Sequence, residues 1–143
     1  LILGAGGVVP SIIIALKKMQ ISKIYLSNRT EIKALELKKL FPEIEIINWG
    51  MITNFDIIIN ATSIGLNKKD EINIDYKNIS KNKFFYDVIY NPKETNFLRS
   101  AKQFGAEIEN GKMMFIYQAQ KAFSIWHNIL PVVDEETLEM LDL

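Results

Sequence analysis

The chain has no cysteine, a single histidine and no net charge, its 17 Lys and Arg offsetting 17 Asp and Glu. Each shortage excludes something. Without cysteine there is no disulfide framework, thiolate zinc site or thiol nucleophile. One histidine cannot build an imidazole metal cluster, and it leaves His127 as the only candidate imidazole base. Zero net charge argues against an extended polyanion-binding surface, while a local basic site stays open. The longest apolar stretch, around Ile12 to Leu16, is far short of the roughly 18 residues that suggest a membrane span. No basic segment leads into a cleavable apolar stretch. A cytoplasmic domain is expected, with no nucleic-acid, membrane or metal partner.

What remains is enough for one core, since 48% of the 143 residues are hydrophobic. Length alone predicts a single domain. The sequence opens Leu1-Ile2-Leu3-Gly4, three apolar residues running straight into a glycine turn. A strand usually has about 5–6 residues. Position 1 therefore reads as the middle of a first strand, and the chain as the carboxyl-terminal piece of a longer polypeptide.

Apolar runs then alternate with helical patterns. Strands are predicted at Leu1–Leu3, Ile24–Leu26, Ile44–Ile47, Asp56–Asn60, Phe84–Tyr90 and Ala106–Ile108. Helices are predicted at Val8–Met19, with Pro10 tolerated in its first turn, and after Thr30 as N-cap. The second of these carries an apolar stripe of Ile32, Leu35, Leu40 and Phe41, and Pro42 ends it. Further helices are predicted at Thr95–Phe104, Met113–Leu130 and, capped by Asp134, Glu135–Leu141. Residues 68–83, rich in Asn and Lys, read as a long surface loop with a short helix. Short continuous apolar strands belong to sheets covered on both faces. The fold class is α/β: a doubly wound, mostly parallel, six-stranded Rossmann-like sheet. Right-handed crossovers give it the strand order 3-2-1-4-5-6.

Three segments carry chemistry. Gly4-Ala5-Gly6-Gly7-Val8-Val9 follows a strand and opens a helix. The first glycine permits the tight turn and the second lets the backbone approach a pyrophosphate; Val9 stands where a third Gly or Ala is usual. Free N–H groups and the positive helix end face the anion. The bland alternative is a plain strand–helix turn. At the end of the second strand, where an NAD-specific unit places Asp or Glu, the chain has Asn28-Arg29-Thr30. Arg29 offers a planar donor fork for a 2′-phosphate, and Lys33 adds charge one turn on. NADP is thus favoured over NAD. The alternative is a solvated arginine near a helix start. Third, Asn60-Ala61-Thr62-Ser63-Ile64-Gly65-Leu66 and Tyr86-Asp87-Val88-Ile89-Tyr90-Asn91-Pro92 end adjacent strands, at the rim where open α/β sheets bind ligands. Asp87 lies within an apolar strand and reads as a hydrogen-bonded structural residue rather than a catalyst. The tandem pairs Lys17-Lys18, Lys38-Lys39 and Lys68-Lys69 read as solvated surface.

Taken in order, these segments resemble the carboxyl-terminal half of the shikimate dehydrogenase family. Lys93-Glu94-Thr95 and Asn110-Gly111, with Gln118 eight residues after Asn110, extend the resemblance across nearly the whole chain. The resemblance implies an NADP-binding domain over residues 1–143 with carboxyl-terminal helices, and an amino-terminal substrate domain that is not in this chain. It implies reversible NADPH-dependent reduction of 3-dehydroshikimate to shikimate, a step toward aromatic amino acids. Gly6, Gly7 and Val8 would lie under the pyrophosphate, with Gly4, which permits the turn, also among the cofactor-binding residues. Asn28, Arg29, Thr30 and Lys33 would hold the 2′-phosphate, and Thr62 and Ser63 would line the cofactor. Val88, Gly111 and Met114 would border the nicotinamide, and Tyr90 and Gln118 would contact the substrate. Val88 replaces a common Met, and Lys112-Met113 a usual Leu-Gly. The family's catalytic Lys and Asp belong to the amino-terminal domain, so no catalytic residue is assigned here and the isolated chain should turn over little. His127, beside Trp126 near a helix end, reads as a packed or capping residue. A homodimer is a further expectation. The rivals are a quinate/shikimate dehydrogenase paralogue using NAD or NADP, with Glu31 reaching the ribose, and a non-catalytic nucleotide-sensing module. A folded module with no ligand is the bland alternative.

Overall fold

The computed structural model describes residues 1–76, 79 and 82–140. They form two compact units, residues 1–110 and residues 111–143, the latter described as far as residue 140. The first unit holds one parallel six-stranded sheet. In chain order its strands are β1 (Ile2–Leu3), β2 (Tyr25–Ser27), β3 (Glu45–Ile47), β4 (Ile57–Asn60), β5 (Phe84–Asp87) and β6 (Glu107–Glu109). In space they run β3-β2-β1-β4-β5-β6, the predicted order. Helices α1 (Val9–Lys18), α2 (Glu31–Leu40) and α3 (Asn96–Gln103) complete it.

The alternation of the strands divides the core in two. Ile2, Leu26 and Ile59 pack with Val9 and Ile13 of α1 and Ala34 and Leu37 of α2. Leu1, Leu3, Ile58 and Phe85 pack with Phe97, Leu98 and Ala101 of α3. Successive residues facing opposite layers is the period-2 signature of strands buried on both faces. The Phe85 ring is the hub of the second cluster. It lies 5.2 Å from Phe97, 5.8 Å edge-on to Phe55 and 6.1 Å from a stacked Tyr76. Burial holds the Tyr76 phenol well above its ordinary pKa.

Several boundaries differ from the sequence reading. β5 stops at Asp87 rather than Tyr90, because the Asp87 carboxylate takes the Ile89 N–H at 3.0 Å and turns the chain away from the ladder. The buried face of α2 is Ala34 and Leu37; Ile32, Leu35 and Leu40 of the expected stripe are exposed. Thr30 does occupy the N-cap position of α2, but its side chain makes no capping bond. The described part of the expected loop at residues 68–83 is more than surface, since Ile72 and Ile74 are buried in the core. The short helix expected there falls partly on residues outside the described ones, as does Leu141 of the last helix.

The second unit holds α4 (Lys112–His127) and α5 (Glu135–Met140). α4 ends three residues before the predicted Leu130. Asn128 adopts a left-handed conformation at φ 54°, closing the helix as a C-cap. Asp134 caps α5 as expected, accepting from the Thr137 N–H at 2.9 Å and hydroxyl at 2.7 Å. The His127 ring lies against Phe123, centroids 4.3 Å apart, which is a packing role. No helix among the described residues is long and apolar enough to cross a membrane. No group of three or more His, Asp or Glu among them could hold a metal ion.

Candidate functional site

The carboxyl ends of β1, β2, β3 and β4 open onto one cleft of about 830 Å³. β1 and β4 are adjacent, and the chain departs from them in opposite directions along the sheet. This is the switch point at which open α/β sheets bind ligands. The floor is the β1–α1 turn. Gly4 has φ +107°, and a Cβ there would sit 2.7 Å from the Ala61 carbonyl oxygen. Only glycine allows the turn to press this closely on the end of β4. A Cβ on Gly7 would meet nothing within 4 Å. No packing contact among the described residues therefore requires glycine at position 7. Val9 donates to the Gly6 carbonyl at 3.1 Å, while the N–H groups of Gly7 and Val8 find no acceptor among the described residues. These donors stand at the positive end of α1, an arrangement suited to an anion.

One lip is cationic. Asn28, Arg29, Thr30 and Lys33 all line the cleft. Arg29 and Lys33 are exposed and have no carboxylate partner among the described residues. Asn28 is tied back, its amide donating to the Thr30 carbonyl at 2.7 Å. Glu31 opens α2 and does not line the cleft.

The opposite wall is the loop after β4, held by a buried polar network. Asn60 and Asp87 are fully buried and Thr95 is nearly so. Asn60 Nδ2 donates to Asp87 Oδ1 and to the Ile64 carbonyl, both at 3.0 Å. Asn60 Oδ1 accepts from the Thr62 N–H at 3.1 Å and from its hydroxyl at 2.7 Å. Thr62 Oγ1 in turn accepts from the Ile64 N–H at 3.0 Å. The Thr62 hydroxyl proton is thus spent on the fold, while its neighbour Ser63 lines the cleft. Asp87 Oδ2 accepts from the Thr95 hydroxyl at 2.6 Å, and Thr95 caps α3. Burial pushes the Asp87 carboxyl above its ordinary pKa, opposed by bonds from Thr95, Ile89 and Asn60. Its oxygens are committed inside the protein, which makes it the structural residue the sequence suggested.

Further along the loop, Asp70 Oδ2 accepts from the Gly65 and Asn67 N–H groups at 3.2 and 3.1 Å. Those bonds hold its carboxyl below the usual pKa. Asp70 and Glu71 both line the cleft, as does Trp49, which follows β3. Sequence reasoning missed all three. The polar pair sits in a loop without periodicity, and a tryptophan two residues beyond a short strand carries no motif.

Of the predicted site residues, Gly4, Gly6, Asn28, Arg29, Thr30, Lys33, Thr62 and Ser63 therefore share one cleft. Gly7 and Val8 lie on the same turn but not among the lining residues. Val88 is half-buried against the α1/α2 core. Tyr90 is 43% exposed beyond β5. Gly111, Met114 and Gln118 belong to the second unit, Gly111 as the N-cap of α4, with Met114 half-buried and Gln118 exposed.

A doubly wound parallel sheet with a glycine turn and a cationic lip at its switch point defines a Rossmann-like α/β unit. Solved structures share this fold. No family model matches the chain. The shikimate dehydrogenase (NADP(+)) of Pelagibacter ubique strain HTCC1062 is 74% identical over 143 residues, covering 100% of this chain and 54% of that protein. The crystal structure of shikimate dehydrogenase from Aquifex aeolicus matches with TM-score 0.81 at 38% identity, over 92% of this chain and 48% of that one. Quinate dehydrogenase from Corynebacterium glutamicum, in complex with NAD, matches with TM-score 0.82 at 26% identity, over 99% and 54%. The chain spans about half the length of the curated relatives it matches. Over its whole length it is similar to the carboxyl-terminal part of a shikimate dehydrogenase.

Proposed function

We propose that this chain is the NADP-binding half of a shikimate dehydrogenase, which reversibly reduces 3-dehydroshikimate to shikimate. The observation that carries the reading is the pairing of Arg29 and Lys33, cations with no carboxylate partner among the described residues, with Gly4, Ala5 and Gly6 of the glycine turn in one cleft. That chemistry fits a dinucleotide bearing an extra phosphate. Bare N–H groups at a helix start suit the diphosphate, and a guanidinium suits a 2′-phosphate. The 74% identity to a protein named for NADP(+) supports the same choice.

In this reading Gly6, Gly7 and Val8 hold the diphosphate. Asn28, Arg29, Thr30 and Lys33 hold the adenosine 2′-phosphate, and Thr62 and Ser63 wall the cofactor. Val88, Gly111 and Met114 border the nicotinamide; Tyr90 and Gln118 hold polar groups of the substrate. When bound, NADPH supplies the hydride for the ring carbonyl. The residues of this chain bind and orient, and the Lys–Asp pair that handles the proton belongs to the family's amino-terminal domain. The chain alone is then a binder with little or no turnover. A cytoplasmic location and a homodimeric holoprotein go with this reading as expectations.

The test joins this chain to the amino-terminal half of the Pelagibacter ubique relative and follows shikimate-dependent reduction of NADP+. Turnover is expected in the joined protein, and Arg29→Ala should raise the KM for NADP+ while leaving the KM for shikimate near native. A folded, inactive joined protein would overturn the proposal. A second reading, a quinate/shikimate dehydrogenase that accepts NAD, is favoured by the likeness to the quinate dehydrogenase–NAD complex. Comparable kcat/KM for NAD+ and NADP+ would select it. Glu31, which is not among the residues lining the cleft, speaks for NADP.

A further inference from the structure

We propose that Trp49 is the adenine-binding wall of the cleft, a residue fixed in place to stack against the base. The inference rests on the dinucleotide reading above and adds the residue that sets base recognition.

Three observations converge on it. First, Trp49 lines the same cleft as Asn28, Arg29, Thr30 and Lys33. β3, which precedes it, lies beyond β2 on the side of the sheet away from β4. In a doubly wound sheet that binds a dinucleotide across the switch point, each half of the ligand lies over one half of the sheet. The half over β1, β2 and β3 carries the 2′-phosphate lip, so the base attached to the same ribose lies over the end of β3.

Second, the backbone bearing Trp49 is pinned. The fully buried Ser27 donates its hydroxyl to the Asn48 carbonyl at 3.2 Å, tying the end of β2 to the residue before Trp49. The Met51 N–H donates to the same carbonyl at 3.1 Å, closing a turn in which Gly50 takes φ +85°. Third, the indole is only partly buried and packs against the Leu1/Leu3/Phe55 core cluster. A ring held by the core and open to a cleft is prepaid in conformational entropy, so a stacked base gains the contact without ordering a side chain. Arg29 on the same cleft adds a planar cation that a base can also lie against.

The experiment uses the chain with Trp126→Phe, which leaves Trp49 as the only tryptophan and changes an exposed residue outside the cleft. Its fluorescence is titrated with NADP+, with 2′,5′-ADP and with nicotinamide mononucleotide, alongside calorimetry of Trp49→Ala and Trp49→Phe. The proposal expects saturable quenching by NADP+ and 2′,5′-ADP and none by the mononucleotide. It also expects Trp49→Ala to weaken NADP+ roughly tenfold, the usual scale of base–aromatic stacking, with Trp49→Phe restoring most of the loss. NADP+ binding with a silent Trp49 and an undiminished Trp49→Ala would overturn the inference and leave the dinucleotide reading standing. No binding of NADP+ or 2′,5′-ADP by the folded chain would overturn both.

Discussion

Asn60 and Asp87 are register partners at the carboxyl ends of β4 and β5, joined by an Asn60 Nδ2 to Asp87 Oδ1 bond of 3.0 Å with both side chains fully buried. The other side-chain bonds of the pair among the described residues go to the loops that leave those strands: to Thr62 and Ile64 on one side, and to Ile89 and Thr95 on the other. The pair sets where the cleft wall stands.

Replacing Asp87 therefore acts on stability and wall position. Asp87→Ala would strand one N–H of the Asn60 amide, the Ile89 N–H and the Thr95 hydroxyl, each costing about 1–3 kcal/mol when buried without a partner. We expect a loss above roughly 3 kcal/mol in urea unfolding. Asp87→Asn keeps the shape and one acceptor and should lose less. An Asp87→Ala protein as stable as native would contradict the network.

Two carboxylates should titrate on opposite sides of the ordinary range. Asp87 is raised by burial, and Asp70 is lowered by the Asn67 and Gly65 N–H groups. The signs follow by linkage. Asp87 binds its proton more tightly folded than unfolded, so its contribution to stability is fullest below its unfolded value and is lost as pH rises through its folded value. Asp70 contributes above its unfolded value, and that contribution is lost as pH falls through its folded value. Carbon-detected NMR of the carboxyl carbons should place the Asp87 midpoint above the Asp70 midpoint; the reverse order would contradict both environments.

Two glycines of one turn should respond differently to alanine. Gly4→Ala forces a Cβ to 2.7 Å from the Ala61 oxygen at a positive φ, and strained backbone of this kind costs about 1–3 kcal/mol before the clash is counted. Its Tm should fall by several degrees or the protein should not fold. Gly7→Ala meets nothing within 4 Å, so its Tm should match native, while a methyl added beside the Gly7 and Val8 N–H groups, which find no acceptor among the described residues, should weaken NADP+ binding. Equal destabilisation of the two variants would remove the distinction between a folding glycine and a binding one.

The strand order was legible because short apolar runs, alternating with helices, leave few topologies once crossovers are right-handed. The glycine turn, Arg29 and the Asn60–Leu66 loop were legible because each depends on a residue type with special geometry. The α2 face was misread because Ala34 is too small to register in an apolar stripe, although a small residue packs a helix tightest. Ile72 and Ile74 were lost among Asn and Lys because two buried residues without regular structure have no period. Trp49 was missed for the same reason; its position depends on the Ser27–Asn48 bond, a contact between segments 21 residues apart. The places of Gly111, Met114 and Gln118 followed from the resemblance alone.

The central claim, a cleft that selects the phosphorylated dinucleotide through Arg29, is tested most directly by calorimetry at low salt. Native chain and Arg29→Ala are each titrated with NADP+ and NAD+. Charge-assisted hydrogen bonds contribute roughly 1.5–3 kcal/mol each, so the account predicts tighter native binding of NADP+ than of NAD+. It also predicts that Arg29→Ala weakens NADP+ about tenfold or more while NAD+ changes little. Equal native affinities, or equal losses for both dinucleotides in Arg29→Ala, would contradict it.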